Sequence, residues 1–347
     1  MRHGLLILLL CLLVAVLALC NVWFGSLSIP ATAVWQILCG GQVEGHHAWT
    51  FIIMESRVPQ AITALLCGAS LSACGLLLQT AFRNPLAGPS ILGIDAGASL
   101  GVAVVMLLLG GTVTLGYLST GGYLLVIMAA MALLLALSQI LRNALTLLIA
   151  GVVISYVTGS IIQLLSYLGT EEGVHHYVLW GMGNFGSVST DRLPVFCALV
   201  LSGLAGAVLL VKPLDAMLLG ERYAQNLGVN VRRVRQALLL VTGLLTATTT
   251  AFCGPVSFLG LAVPHIARML LRTSTHRILL PASMLVGAAL TLGCNLLCTL
   301  PGSGTLIPIN VITPLVGTPV IMYVILGHNR KSVSYTHLRA HETVLDL

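Results

Sequence analysis

Apolar runs of about 20 residues, the length of a helix that crosses a bilayer, recur along this chain and are broken only by short polar joints. Hydrophobic residues make up 57% of it and charged residues 7%, against about 25% charged residues in a soluble domain. The spans fall at roughly 4–24, 57–80, 91–110, 121–141, 145–168, 192–211, 235–252, 255–272, 278–299 and 309–327. The predicted fold is therefore an all-α polytopic membrane protein of about ten transmembrane helices. Gly254-Pro255 is a place where one longer element could break.

The segment from Arg57 to Gly101 indicates how these helices pack. Gly68, Ser72, Gly75 and Gln79 follow one another at steps of four, three and four, which puts them on one helix face. Gly93, Gly97 and Gly101 recur every four residues. Lipid tails give helices no hydrophobic drive to associate, so small residues at such spacing are how two backbones approach closely. Arg2 followed by the apolar Leu5–Leu19 looks like a signal peptide. However, Leu19 stands where cleavage wants a small residue and the run continues to Phe24, so a retained first helix is expected.

Charge sets the orientation. With the N-terminus inside, the joints around Arg83, Arg142, Lys212–Arg235 and Arg268–Arg277, with Arg2 and Arg330-Lys331, all face the cytoplasm, and only Arg57 and Arg192 face out. That is the positive-inside bias, and both termini are expected to be cytoplasmic. The net charge of +6 is thus topology and no footprint of nucleic acid. Glu44, Glu55, Glu171, Glu172 and Asp191 collect outside. The nine cysteines form no CxxC pair and read as small hydrophobes.

From Val333 the text runs VSYTHLRAHET, and back-translation reproduces a transposon-type sequencing adaptor. Residues 332–347 are therefore expected to be a non-native tail after one permease domain at 1–331, and His337 and His341 carry no function.

Little in the chain could do chemistry. Asp95 lies near the cytoplasmic end of the third span, where a helix N-terminus favours a structural carboxylate over an ion relay. The lysines, Lys212 and Lys331, follow Val211 and Arg330, so no P-loop exists, and no HExxH or paired catalytic carboxylates occur. Any energy for transport must come from another polypeptide. The long basic loop Lys212–Arg235 supplies a place for one. Leu218, Leu219, Tyr223 and Leu227 give a short amphipathic helix stopped at Gly228, suited to a groove on a partner or to the lipid interface. Farther on, Pro255 suits the first position of a helix, Pro264 would kink it, and His265 and Arg268 share one face near the cytoplasmic boundary.

Together these segments resemble the FecCD-type permeases, the membrane subunits of ABC importers for iron-siderophores, haem and vitamin B12. The resemblance rests on R-x-P at Arg57, G-A-x-L-x-x-x-G-x-x-x-Q from Gly68 and R-N-P-L-A-x-P from Arg83. L-G-x-x-x-G-A from Leu92, L-G-E-x-x-A-x-x-L-G-V from Leu219 and G-P-x-x-F-x-G-L-x-x-P-H-x-x-R from Gly254 follow in order. It spans nearly everything from residue 5 to 328.

The resemblance implies a ten-helix subunit paired with a second permease subunit around a central pathway. Two cytoplasmic ABC ATPases would bind below, carrying the ATP-Mg, and an extracytoplasmic substrate-binding protein would dock above. This chain itself would bind no cofactor and catalyse nothing. Leu219, Gly220, Glu221, Ala224, Leu227, Gly228 and Val229 look like the region that meets the ATPase. Arg57 looks like the outer arginine that pairs with the binding protein. Arg83, Asn84, Pro85, His265 and Arg268 are implied only to act at the cytoplasmic face. The chain departs from the family pattern at Gln60, Asn295, Thr299 and Leu306, where members often carry Arg, Asp, Arg and Glu. Outer contacts beyond Arg57 are thus expected to be polar and neutral. An ion-coupled secondary transporter is the rival, and it needs mid-membrane ionisable residues that the spans do not offer. An intramembrane enzyme lacks any catalytic constellation.

Overall fold

The computed structural model describes residues 2–25, 27–41, 43, 47–90, 93–108, 129, 144–256, 258–299, 307–319 and 322. Helices α1 (Arg2–Trp23) and α2 (Ala31–Leu38) come first. They are followed by α3 (His47–Ala81), which runs without a break for 35 residues. Next are α4 (Ile94–Ala103), α5 (Ala144–Leu168), α6 (Glu171–Gly181), α7 (Leu193–Leu209) and α8 (Val211–Leu218). The series continues with α9 (Glu221–Asn226), α10 (Val231–Cys253), α11 (Leu259–Leu271) and α12 (His276–Thr299). A last helix, α13, covers 309–319. The architecture is all-helical among the described residues. Five of these helices are long and apolar enough to cross a membrane, and α7 with α8 makes a sixth, bent by 44°. The span expected at 121–141 lies outside the described residues except for position 129, as does the tail at 332–347, and that at 309–327 is described only in part.

The core sits around α3, which from Arg57 onward is almost wholly buried between α12, α11, α10 and α7. At 1.5 Å per residue its 35 residues reach about 50 Å, longer than a hydrocarbon core of about 30 Å. The face carrying Gly68, Ser72, Gly75 and Gln79 is used against two partners in turn. A Cβ on Gly68 would overlap the Gly287 carbonyl of α12, and one on Gly75 would overlap the Gly260 carbonyl of α11. Backbones in such contact leave room only for hydrogen at the α-carbon. Near its start α3 widens by one residue over Ile52–Arg57, where the Val58 N–H reaches back to the Ile53 carbonyl. Pro59 supplies the cause, since its ring has no N–H and would collide with the carbonyl four residues earlier.

Two expectations change here. Of the third crossing, expected over 91–110, the described residues are helical from Ile94, with wider turns over Val104–Leu108, and 91–92 and 109–110 lie outside the described residues. Before it the chain is irregular, with Pro89 packed at the crossing where Gly260 meets Gly75. The chain has thus entered the bundle before it coils, and Asp95 lies deep beside Thr250, not near the boundary. Gly93 precedes the helix with φ of 74°, a conformation that favours glycine, and a Cβ there would lie 2.9 Å from the Gly151 carbonyl of α5. It is therefore a turn residue at a close approach and not the first step of a packing stripe; Gly97 and Gly101 are half-buried in α4. The second change concerns Pro255, which sits in the irregular link between α10 and α11 and not at a first helical position. Its carbonyl accepts from Asn310 Nδ2 at 2.6 Å. Pro264 lies inside an unbroken α11.

Candidate functional site

The loop between α7 and α10 folds into α8 and α9. Pro213, in the first turn of α8, cannot coexist with a straight continuation of α7, because its ring meets the Leu209 carbonyl; the chain bends there. Gly220, with φ of 123°, then separates α8 from α9 in a conformation that a side chain would resist. The single amphipathic helix expected over Leu218–Leu227 is therefore divided. Leu218 closes α8, Leu219 stands at the joint, and the second helix is only Glu221–Asn226. Gly228, with φ of 83°, ends it. Leu219, Tyr223 and Leu227 are 69%, 51% and 58% exposed, whereas Ala224 is fully buried and Val229 packs against the core. Three apolar side chains thus project from a small helix whose other side is anchored. Glu221 accepts a 2.8 Å charged bond from Arg235 of α10, and Asn230 caps α10 by accepting from the Arg233 N–H at 3.1 Å.

The joint after α3 lies against this segment. Arg83 adopts φ of 47° and donates to the Met217 carbonyl at 3.3 Å, with its guanidinium beside Gly220. The Asn84 side chain accepts from the Leu86 N–H at 2.9 Å, closing the turn that Pro85 begins. His265 and Arg268 turn apart. The His265 Nδ1 bonds the Leu261 carbonyl of its own helix at 3.0 Å, whereas Arg268 donates to Gln79 Oε1 of α3 at 2.6 Å. Gln79 in turn donates to the Leu261 carbonyl at 3.3 Å, so it stitches α3 to α11.

Sequence reasoning missed three residues at this end. Asp215 of α8 accepts from both the backbone N–H and the ring Nδ1 of His276, each at 2.7 Å. The ring Nε2 lies 2.7 Å from Thr80 Oγ1 of α3. A histidine at the start of an apolar run and a lone aspartate in a basic loop were the available signals, but no spacing links positions so far apart in the chain.

The opposite end of α3 is built differently. Arg57 is 6% exposed and donates to the carbonyls of Val22, Trp23 and Leu27 at the end of α1 and just beyond it. The outward-facing cation expected there is instead an internal clamp, placed where a helix C-terminus offers free carbonyls and favours positive charge. One α3 turn further, Gln60 donates to Asn295 Oδ1 at 3.0 Å, and Asn295 donates to Asn21 Oδ1 at 2.7 Å. Asn21 also donates to the Leu292 carbonyl at 3.0 Å. Two of the neutral departures noted in the sequence are thus partners in one amide chain across α3, α12 and α1. Deep in the bundle, Asp95 accepts from Ser90 at 2.8 Å and from Thr250 at 2.7 Å, as a structural carboxylate in a first helical turn does.

Helix α5 is mostly exposed, and its exposed face carries Tyr156, Ser160, Gln163 and Tyr167 at steps of four, three and four. Where α5 meets α6 there is an open cavity of about 600 Å³ that includes Ser166, Tyr167, Glu171 and His175. It belongs to the end remote from α8 and α9, since α6 reaches the far end of α10 through Trp180 Nε1 and the Ala251 carbonyl at 3.4 Å. In α6, burial pushes the Tyr177 phenol above its usual range.

The FecCD transport family matches residues 10–327. The vitamin B12 import system permease protein BtuC of Klebsiella pneumoniae is 34% identical over 277 residues, covering 79% of this chain and 82% of that one. The hemin transport system permease protein HmuU of Yersinia pestis is 31% identical over 318 residues, covering 91% and 93%. The Fe(3+) dicitrate transport system permease protein FecD of Escherichia coli is 32% identical over 311 residues, covering 89% and 94%. Among solved structures, an inward-facing ABC transporter provisionally described as of the metal-chelate type superposes with a TM-score of 0.81 at 29% identity, covering 93% of this chain and 99% of that one. With its helices, its motif-bearing joints and the loop between α7 and α10 accounted for together, the chain belongs to the FecCD transport family of ABC importer permeases.

Proposed function

We propose that this chain is the membrane-spanning subunit of an ATP-driven importer that moves a metal chelate across the bacterial cytoplasmic membrane by alternating access. The cargo is a ferric siderophore, haem or cobalamin, the class to which the solutes of its relatives belong. Two ABC ATPases dock at the α8–α9 end, which is cytoplasmic together with both termini, and they carry the ATP-Mg. A second permease subunit completes the pathway, and an extracytoplasmic binding protein delivers cargo at the Arg57 end.

The observation that carries this reading is the exposed trio Leu219, Tyr223 and Leu227, held on the short helix α9 and at its two flanks among Arg222, Arg232 and Arg233. Apolar anchors on an amphipathic helix in a charged loop fit a groove on a protein partner. The stripe on α5 supports a pathway. Ser160 donates to the Tyr156 carbonyl of its own helix at 3.1 Å, but the Tyr156 and Tyr167 phenols and the Gln163 amide would lack such partners against lipid, which disfavours that arrangement, whereas a water-filled wall between two subunits satisfies them. Coupling to an ion gradient would need a free ionisable group inside the bundle. Asp95, the buried acid among the described residues, has both oxygens occupied by hydroxyl donors.

Reconstitution in proteoliposomes with the cognate ATPase and binding protein tests the proposal. Uptake of cyanocobalamin, haemin or ferric citrate should require ATP and persist when ionophores abolish ion gradients. Uptake that needs a gradient and ignores ATP would sink it.

A further inference from the structure

Among the described residues, three pairs tie the α8–α9 segment to the bundle, Glu221–Arg235, Met217–Arg83 and Asp215–His276, and they differ in kind. The Glu221–Arg235 pair is partly exposed on both sides, with side chains 43% and 18% accessible, so water and salt weaken it. Arg83 reaches the Met217 carbonyl from an exposed position. The third bond is internal. The His276 side chain is 1% exposed and that of Asp215 29%.

Asp215 does for α12 what an N-cap residue does, although it comes from another element. One oxygen takes the His276 N–H, in the first turn of α12, where N–H groups lack helical partners and the dipole favours an anion. The same oxygen takes Nδ1–H of the ring, and a carboxylate that accepts two donors fixes the plane of the imidazole. The other nitrogen then meets Thr80 Oγ1, itself tied to the Leu76 carbonyl at 3.0 Å. One buried ring thus holds α8, α12 and α3 at a single point. If α8 moved away alone, it would leave polar groups without partners in a water-poor site, which is costly; moving with its neighbours keeps every bond.

We propose that Asp215, His276 and Thr80 form the transmission joint of the transporter, converting displacement of α8–α9 into movement of α12 and α3. This rests on the importer function proposed above. These are positioning residues, since they touch neither cargo nor nucleotide. Their loss uncouples: the ATPases still bind through Leu219, Tyr223 and Leu227 and still hydrolyse ATP, but the bundle no longer follows.

The test compares wild type, Asp215→Ala, Thr80→Val and Asp215→Asn in complete complexes with ATPase and binding protein. Copurified ATPase, thermal stability, ATP hydrolysis and uptake of cyanocobalamin, haemin and ferric citrate are measured together. Asp215→Ala and Thr80→Val should keep hydrolysis and assembly while uptake per ATP falls about 5-fold or more, the scale of a coupling interaction. Asp215→Asn, which retains the accepting oxygen, should restore most of that ratio. Thr80→Val removes a single hydroxyl, so the idea remains exposed even if Asp215→Ala fails to fold. An unchanged ratio in Asp215→Ala and Thr80→Val overturns the joint and leaves the importer standing. Hydrolysis and uptake falling in proportion with stability also overturns it, because ordinary packing residues behave that way. A wild-type complex that shows no ATP-dependent uptake of any of the three chelates overturns the importer and the joint together.

Discussion

At the scale of single residues, the closest contacts of the bundle depend on missing side chains. Gly75 and Gly260 bring α3 and α11 together so tightly that a methyl group on Gly75 would overlap a carbonyl. Gly75→Ala should therefore destabilise the protein by about 1–3 kcal/mol, as overpacking does, seen as a lower thermal midpoint in detergent. Gly293→Ala, in the interior of α12 with nothing near its Cβ, should leave that midpoint unchanged or raise it slightly, since alanine is the better helix former. The four-three-four spacing already identified this face, because one periodicity reports one side of one helix. It did not tell which neighbour each glycine would meet. The amide chain of Gln60, Asn295 and Asn21 was illegible for the same reason: its members lie on three helices, and only their contact explains why neutral side chains stand together. Replacing that pair as Gln60→Arg with Asn295→Asp should be tolerated better than either change alone, because each single variant buries an unpaired charge. Stability of the three variants in detergent measures the difference, and additive losses would contradict the pairing.

At the scale of elements, composition located apolar runs well and most of their boundaries to within a few residues, the start of α3 at His47 excepted. The crossing that begins after Ala81 contains Pro85 and Pro89, which disfavour helix at the residue before each, and Gly93 in a left-handed conformation stands immediately before the helix that starts at Ile94. Reading apolarity alone extends the helix outward and places Asp95 too near the surface. The split of α8 from α9 has a similar origin: the spacing of Leu219, Tyr223 and Leu227 describes a face, whereas Gly220 decides where the backbone breaks. That face carries the prediction at this scale. Leu219→Ser with Tyr223→Ala removes two anchors, and hot-spot truncations cost about 2 kcal/mol or more, about 30-fold in affinity. Pull-down of the ATPase on the purified permease should fall accordingly while the permease keeps its thermal stability.

At the scale of the whole molecule, α3 is fastened towards both ends of the bundle. Arg57, where its buried part begins, fastens it to the end of α1, and Thr80 and Arg83 fasten its close to His276 and Met217. Between them it is packed along its full length, so it has little freedom to bend without breaking glycine contacts that admit no slack. A stiff rod pinned at both ends is a two-way instrument. Whatever nucleotide does to its lower anchorage must be paid back in kind from above, for linkage between two sites is reciprocal in free energy. If the importer reading holds, the delivery protein should therefore change the affinity of the assembled transporter for nucleotide by the same factor, and in the same direction, as nucleotide changes the delivery protein's hold on the outer face.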